Sequence, residues 1–220
     1  RSQTASINDT FLKNLINNNK GINNIQKKNL NNLSTKKNFT TKEYFLSIGF
    51  NEYNSIDING AYESYQFDLN KNIFKTYNFN QKYDLVINNG TGEHVFNQYA
   101  LYLNFHNLTK VKGIMLNIVP FIDWINHGFY NFNPIFFAYL AASNNYQIIK
   151  MALSNRNGAE LKLDGNNLEI LFEQIKPHRN DSKFGKMIEI AKDRIGRNIF
   201  LVVITKKLSD ISFKIPLQGK

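Results

Sequence analysis

Residues 83–98 read Y-D-L-V-I-N-N-G-T-G-E-H-V-F-N-Q, and the reading of this stretch decides the fold. Leu85, Val86 and Ile87 form a continuous apolar run, the pattern expected when both faces of a parallel strand are covered. Gly90 and Gly92 then permit close backbone approach, and Thr91 stands where it can cap a helix. The spacing predicts that helix over residues 95–108, with Val95, Tyr99, Leu103 and either Phe105 or His106 on one stripe. G-T-G-E-H-V is a near miss to the dinucleotide fingerprint. Val95 occupies the place of the third glycine, and the next apolar run, residues 114–119, ends without an acidic residue, which argues against NAD. A phosphate-cradling loop is absent as well, because Gly185-Lys186 lacks both the upstream glycine and the following Ser or Thr.

Working outward, residues 114–119 form a second strand that stops at Pro120. Residues 134–142 are a nearly all-apolar helix, 146–153 a strand, 168–175 and 186–194 helices, and 199–205 a last strand. Toward the N-terminus, residues 8–18 carry Phe11, Leu12, Leu15 and Ile16 at helical spacing. Residues 19–38 are rich in Asn and Lys, either a polar surface helix or a loosely ordered insertion. Thr40 and Thr41 open a short helix closed by Gly49, and residues 53–58 read as a buried strand before the Asn59-Gly60 turn. Strand and helix alternate, which predicts one α/β domain over residues 1–220, a three-layer sheet with right-handed connections. A strand should precede the first helix, yet the sequence opens at Arg1 directly before it. The expectation is an N-terminal truncation.

Composition bounds what this domain does. At 220 residues a chain buries roughly 70% of its unfolded surface. The absence of cysteine excludes a disulfide scaffold, a thiolate zinc site and a cysteine nucleophile, and fits a reducing, cytoplasmic setting. No apolar run approaches a membrane span. The net charge of +10 is uneven: residues 1–50 carry eight basic and two acidic side chains, 51–150 six and seven, and 151–220 thirteen and eight. The motif-rich middle has no positive excess, which argues against a nucleic-acid partner. The 35 asparagines beside many Lys and Ile point to coding bias rather than to a basic ligand surface.

In open α/β sheets ligands sit beyond the carboxyl ends of strands. Three junctions carry candidate chemistry. Asp57, near the tip of the 53–58 strand, either accepts hydrogen bonds from a ribose diol or closes a solvated turn before Asn59-Gly60. Asp68, in Y-Q-F-D-L-N, either meets a purine amino group or closes a turn. At the junction 88–94, Glu93 and exposed N–H groups orient a ligand. The later loop V-P-F-I-D-W-I-N-H-G-F-Y-N-F-N-P is dense in rings and amides. Trp124, Phe129, Tyr130 and Phe132 would wall a pocket, and Asn126, His127, Asn131 and Asn133 would supply polar contacts, against the alternative of a packed, capped loop. His94, His106 and His127 lack a close carboxylate pattern and His106 falls on the apolar stripe, so no metal is expected.

The stretch 83–98, the strand G-I-M-L-N-I-V-P, then N-H-G-F-Y-N-F-N-P-I-F-F and N-N-Y together resemble a group of bacterial class I S-adenosylmethionine-dependent methyltransferases, over about residues 40–153. The N-G-T-x-E-H and N-H-G-F-Y stretches occur together, in order. The resemblance implies a Rossmann-like sheet and S-adenosylmethionine as cofactor. Arg1, Ser2 and Gln3 would be the tail of the first cofactor loop, Asp57 with Ile58 the ribose site, Asp68 and Leu69 the adenine contact, and Asn89, Gly90 and Thr91 the methionine end. The implied reaction is in-line methyl transfer, and the aromatic, amide-rich loop suits a small-molecule or saccharide acceptor. A hydroxyl acceptor profits from a base by about 10² to 10⁴ in rate, which points to His127 first and His94 second. The alternatives are a noncatalytic α/β binding module with a decayed cofactor site, and a nucleic-acid methyltransferase suggested by the basic ends.

Overall fold

The computed structural model describes residues 23–36, 39–163 and 183–217, which fall into two compact units divided between Asp68 and Leu69. The expected helices at 8–18 and 168–175, and Arg1, Ser2 and Gln3, lie outside the described residues.

In the first unit, the Asn-rich segment forms helix α1 (Asn24–Ser34) among its described residues. Asn23 accepts from the Gln26 N–H and the Gln26 side chain accepts from the Asn23 N–H, so two N-terminal donors are satisfied reciprocally. Thr40 and Glu43 repeat the device at α2 (Thr41–Ser47). Leu30, Leu33 and Phe39 are buried together, with Tyr44 and Ile48 packed against them. Gln26 Nε2 donates to the Ile48 carbonyl at 2.6 Å, past Gly49, whose φ of +105° is a conformation that disfavours other residues. The strand expected over 53–58 does not form. Ile56 makes one isolated parallel bridge to Tyr65, because the turn after Asp57 and the positive φ of Tyr62 and Glu63 redirect the chain before a ladder can extend.

In the second unit, β1 (Tyr83–Asn89) and β2 (Thr109–Ile122) pair in parallel across α4 (Gln98–Leu108), after the single-turn α3 (Ile73–Thr76). Beyond them come α5 (Pro134–Ser143), β3 (Tyr146–Ser154), β4 (Glu160–Lys162), α6 (Lys183–Ile195) and β5 (Ile199–Lys207). The sheet order is β1-β2-β5-β3-β4. β5 lies between β2 and β3 and runs against both, so β1, β2 and β3 point one way and the sheet is mixed. Apolar patterning has the same period in either direction, which is why the sequence does not encode this reversal. Pro120 does not stop β2: past the Asn89–Ile118 pair the strand has left β1 behind and presents an edge, where a missing N–H costs no ladder bond.

α4 and α5 share one core over the sheet, with Tyr102 of α4 against Phe136 and Phe137 of α5 at centroid distances of 5.0 and 5.9 Å. Leu101, Tyr102, Phe105 and Leu108 of α4 are buried; of the predicted stripe Val95, Phe105 and His106 are buried too, whereas Tyr99 is 51% exposed. No helix among the described residues is long and apolar enough to cross a membrane.

Candidate functional site

Because β1, β2 and β3 run the same way, their carboxyl ends gather at one edge of the sheet, together with the start of β5. There Asn88, fully buried, accepts the Gly92 N–H on its Oδ1 at 2.8 Å and donates from Nδ2 to Asn117 Oδ1 on β2 at 3.2 Å. A Cβ on Gly92 would lie 2.6 Å from that Asn88 amide and would displace it. The turn is thereby drawn down onto the strand tip. Its single 3-10 turn, Gly92–His94, sends Glu93 inward.

Glu93 has no solvent exposure, and neither carboxylate oxygen makes a hydrogen bond among the described residues. Its contacts are imidazoles. His127 Nε2 lies 3.3 Å and His94 Nε2 3.8 Å from Glu93 Oε1, close enough for ion pairing yet not aligned as hydrogen bonds, and the two rings are 5.1 Å apart. Burying a carboxylate without compensation is costly, and the two imidazoles are the groups that stand beside this one. The surroundings feel its charge: the Tyr102 phenol is pushed well up, first by complete burial and then by Glu93.

His127 is held from behind. Trp124 packs on its ring at 4.8 Å, and the indole N–H is fixed by the Ile199 carbonyl at 3.0 Å. Arg156 covers the same indole, 5.2 Å from its centre. Phe129 donates its N–H to the Glu93 carbonyl at 2.8 Å, tying the loop over the carboxylate. The expected pocket wall divides accordingly. Trp124 and Phe132 are buried, whereas Phe129 is 65% exposed and meets exposed Phe96 edge-on at 5.7 Å; Tyr130 donates its hydroxyl to the Phe96 carbonyl. The three amide positions, Asn126, Asn131 and Asn133, are exposed, and Asn126 holds a left-handed φ of +58°.

Asn89 and Thr91 are exposed at the β1 tip beside Gly90, whose φ is +67°. Asp57 and Ile58 lie in the first unit. The Asp57 carboxylate accepts the Asn59 N–H at 2.8 Å and its carbonyl accepts the Gly60 N–H, so Asp57 closes the turn at Asn59-Gly60. Ile58 is exposed; Asp68 and Leu69 are half-buried. His106 belongs to none of this. It is buried, bonded through Nδ1 to the Tyr146 hydroxyl at 2.6 Å and through Nε2 to the Ile211 carbonyl at 2.8 Å, and burial lowers its pKa.

The residue that sequence reasoning missed as a partner is Glu93. The expectation of no metal rested on the lack of a nearby carboxylate, but the parallel register of β1 and β2 brings Glu93 between His94 and His127, with one ligand atom of each within 4.8 Å of the others. The available signal was a pair of glycines, Gly90 and Gly128, whose Cβ positions would lie against Glu93.

No family model matches the chain, and no curated protein matches it. Among solved structures, a StiE O-MT structure is similar with a TM-score of 0.36 and 13% identity, over 64% of this chain. The chain covers 48% of that structure's length.

Proposed function

We propose that the second unit carries the site of an S-adenosylmethionine-dependent methyltransferase that acts on a hydroxyl of a small molecule or saccharide. The reading takes the five-stranded sheet as part of a Rossmann-like, three-layer methyltransferase sheet. The observation that carries it is the buried Glu93 carboxylate 3.3 Å from His127 at the carboxyl end of β1, below an aromatic loop.

His127 accepts the hydroxyl proton. With its proton on Nε2, the nitrogen that faces Glu93 at 3.3 Å, the ring has Nδ1 as the acceptor, and the carboxylate stabilises the imidazolium that forms. Trp124 fixes the ring plane, so the base is oriented before the substrate arrives. Phe96 and Phe129 offer exposed apolar faces of the kind on which a sugar ring stacks. When bound, the cofactor supplies an electrophilic methyl group on a sulfonium. The residues present fit its methionyl end: Gly90 leaves open the space beside Glu93, where a Cβ would lie 3.5 Å from Oε1, and Asn89 and Thr91 stand exposed on either side.

The test is calorimetric titration with S-adenosylmethionine, followed by assay of S-adenosylhomocysteine release against a panel of monosaccharides and small alcohols. Stoichiometric binding, weakened by Gly90→Val, together with turnover of at least one hydroxyl acceptor, is expected. Absence of cofactor binding overturns the reading.

A further inference from the structure

We propose that Glu93, His94 and His127 also form a binding site for one divalent first-row transition-metal ion. Two imidazoles and one carboxylate are a donor set suited to Zn²⁺, Co²⁺, Ni²⁺ or Fe²⁺ rather than to Mg²⁺ or Ca²⁺, which prefer oxygen.

The geometry points to an ion rather than to a proton alone. Both imidazoles converge on the same oxygen, at 3.3 and 3.8 Å, and all three donor atoms lie within 4.8 Å of one another. A cation about 2.0–2.2 Å from each donor brings neighbouring donors to roughly 3–3.6 Å apart. Two of the contacts are already near that spacing, and rotation of the 39%-exposed His94 side chain closes the third. A shared proton would satisfy one imidazole and one carboxylate oxygen. The second imidazole, the 39%-exposed His94, would be left to solvent and outside the contact. Charging both rings, 5.1 Å apart, would set like charges against each other, whereas one ion engages all three side chains. The site also has the rigid backing that metal ligands use: Trp124 packs on His127, and the Phe129 N–H anchors the Glu93 backbone. Three protein ligands leave coordination positions open toward solvent on the His94 side.

The consequence for activity rests on the function proposed above. An ion on His127 Nε2 forces the remaining ring proton onto Nδ1, which then has no lone pair for a substrate hydroxyl. Metal loading is therefore expected to inhibit methyl transfer, and chelation to restore it.

The experiment is a titration of the chelator-stripped chain with Co²⁺, followed by calorimetry and visible absorption, with Zn²⁺ as competitor. One Co²⁺ per chain is expected, displaced by Zn²⁺. Affinity should fall in His94→Ala and Glu93→Gln by more than the roughly 10- to 100-fold that loss of an outer-shell partner costs. The half-exposed His94 makes His94→Ala decisive should Glu93→Gln fail to fold. No stoichiometric Co²⁺ binding, or equal binding by His94→Ala, overturns the inference. Turnover by a metal-free chain that binds no Co²⁺ would sink this site and leave the methyltransferase reading intact; Co²⁺ binding without any affinity for S-adenosylmethionine would do the reverse.

Discussion

Gly128 lies so close over Glu93 that a Cβ placed on it would sit 2.9 Å from both the Cγ and the carbonyl oxygen of Glu93. The two loops at the sheet edge are thus fitted backbone to side chain, and the 3.3 Å approach of His127 to the carboxylate depends on that fit. Gly128→Ala must push them apart. Overpacking of this kind costs about 1–3 kcal/mol in stability, and a displacement near 1 Å costs about 10²-fold in rate. Steady-state assay of the variant should show kcat down by about 10²-fold, with a thermal melt confirming that the chain still folds. Unchanged kcat would show that the loop contact does not position the pair.

Asn88 holds the base of the same turn from inside the sheet. Removing its amide in Asn88→Ala orphans the buried Gly92 N–H and breaks the link to Asn117, a loss of about 1–3 kcal/mol. Urea unfolding followed by circular dichroism should show a lower midpoint at unchanged slope. A midpoint equal to that of the parent would contradict this accounting.

At the opposite end of the sheet, Lys207 is fully buried and donates to the carbonyls of His106 and Thr109 and to Asp210. The hydrogen bonds from Lys207 and Lys82 hold the Asp210 carboxyl down at about 2, against an ordinary 3.8. A carboxyl lowered in the folded state adds stability that is present above its unfolded value and lost as pH falls from about 4 toward 2. Asp210→Asn should flatten that acid limb in melts taken across this window. The flattening is partial, because Glu43, bonded to Lys36 and Thr40 and likewise held at about 2, keeps the same dependence. An acid limb identical to that of the parent would remove Asp210 from the account.

Removing the charge partner at Lys207 is harsher. Lys207→Met takes this donor from two buried carbonyls, and an orphaned buried polar group costs about 1–3 kcal/mol apiece. Chemical denaturation should show a loss of that order, whereas an exposed lysine such as Lys110, paired with Asp84 at 2.8 Å, should cost under about 1 kcal/mol when truncated.

What the sequence disclosed follows the range of each interaction. The apolar run of β1, the cap at Thr40 and the helix beginning at Pro134 are local, and local pattern announces them. The failed strand at 53–58 shows the limit: Ile56 and Ile58 alternate correctly, but no neighbour offers a ladder beyond Tyr65. Pro120 likewise reads as a terminator until the end of β1 is known to fall two residues earlier in register. His127 was legible as a candidate because its loop is rich in rings and amides. Its dependence on Glu93 was not, since that contact exists only once β1 and β2 pair in parallel.

The central claim is that Glu93 and His127 together move the acceptor's proton. Its most direct measurement is kcat for methyl transfer from S-adenosylmethionine to a hydroxyl acceptor in the parent, His127→Ala and Glu93→Gln, with cofactor affinity measured in parallel. The account predicts a fall of about 10² to 10⁴-fold in kcat for His127→Ala, a smaller fall for Glu93→Gln, and cofactor binding retained in both. Turnover at the parent rate in folded His127→Ala would contradict it.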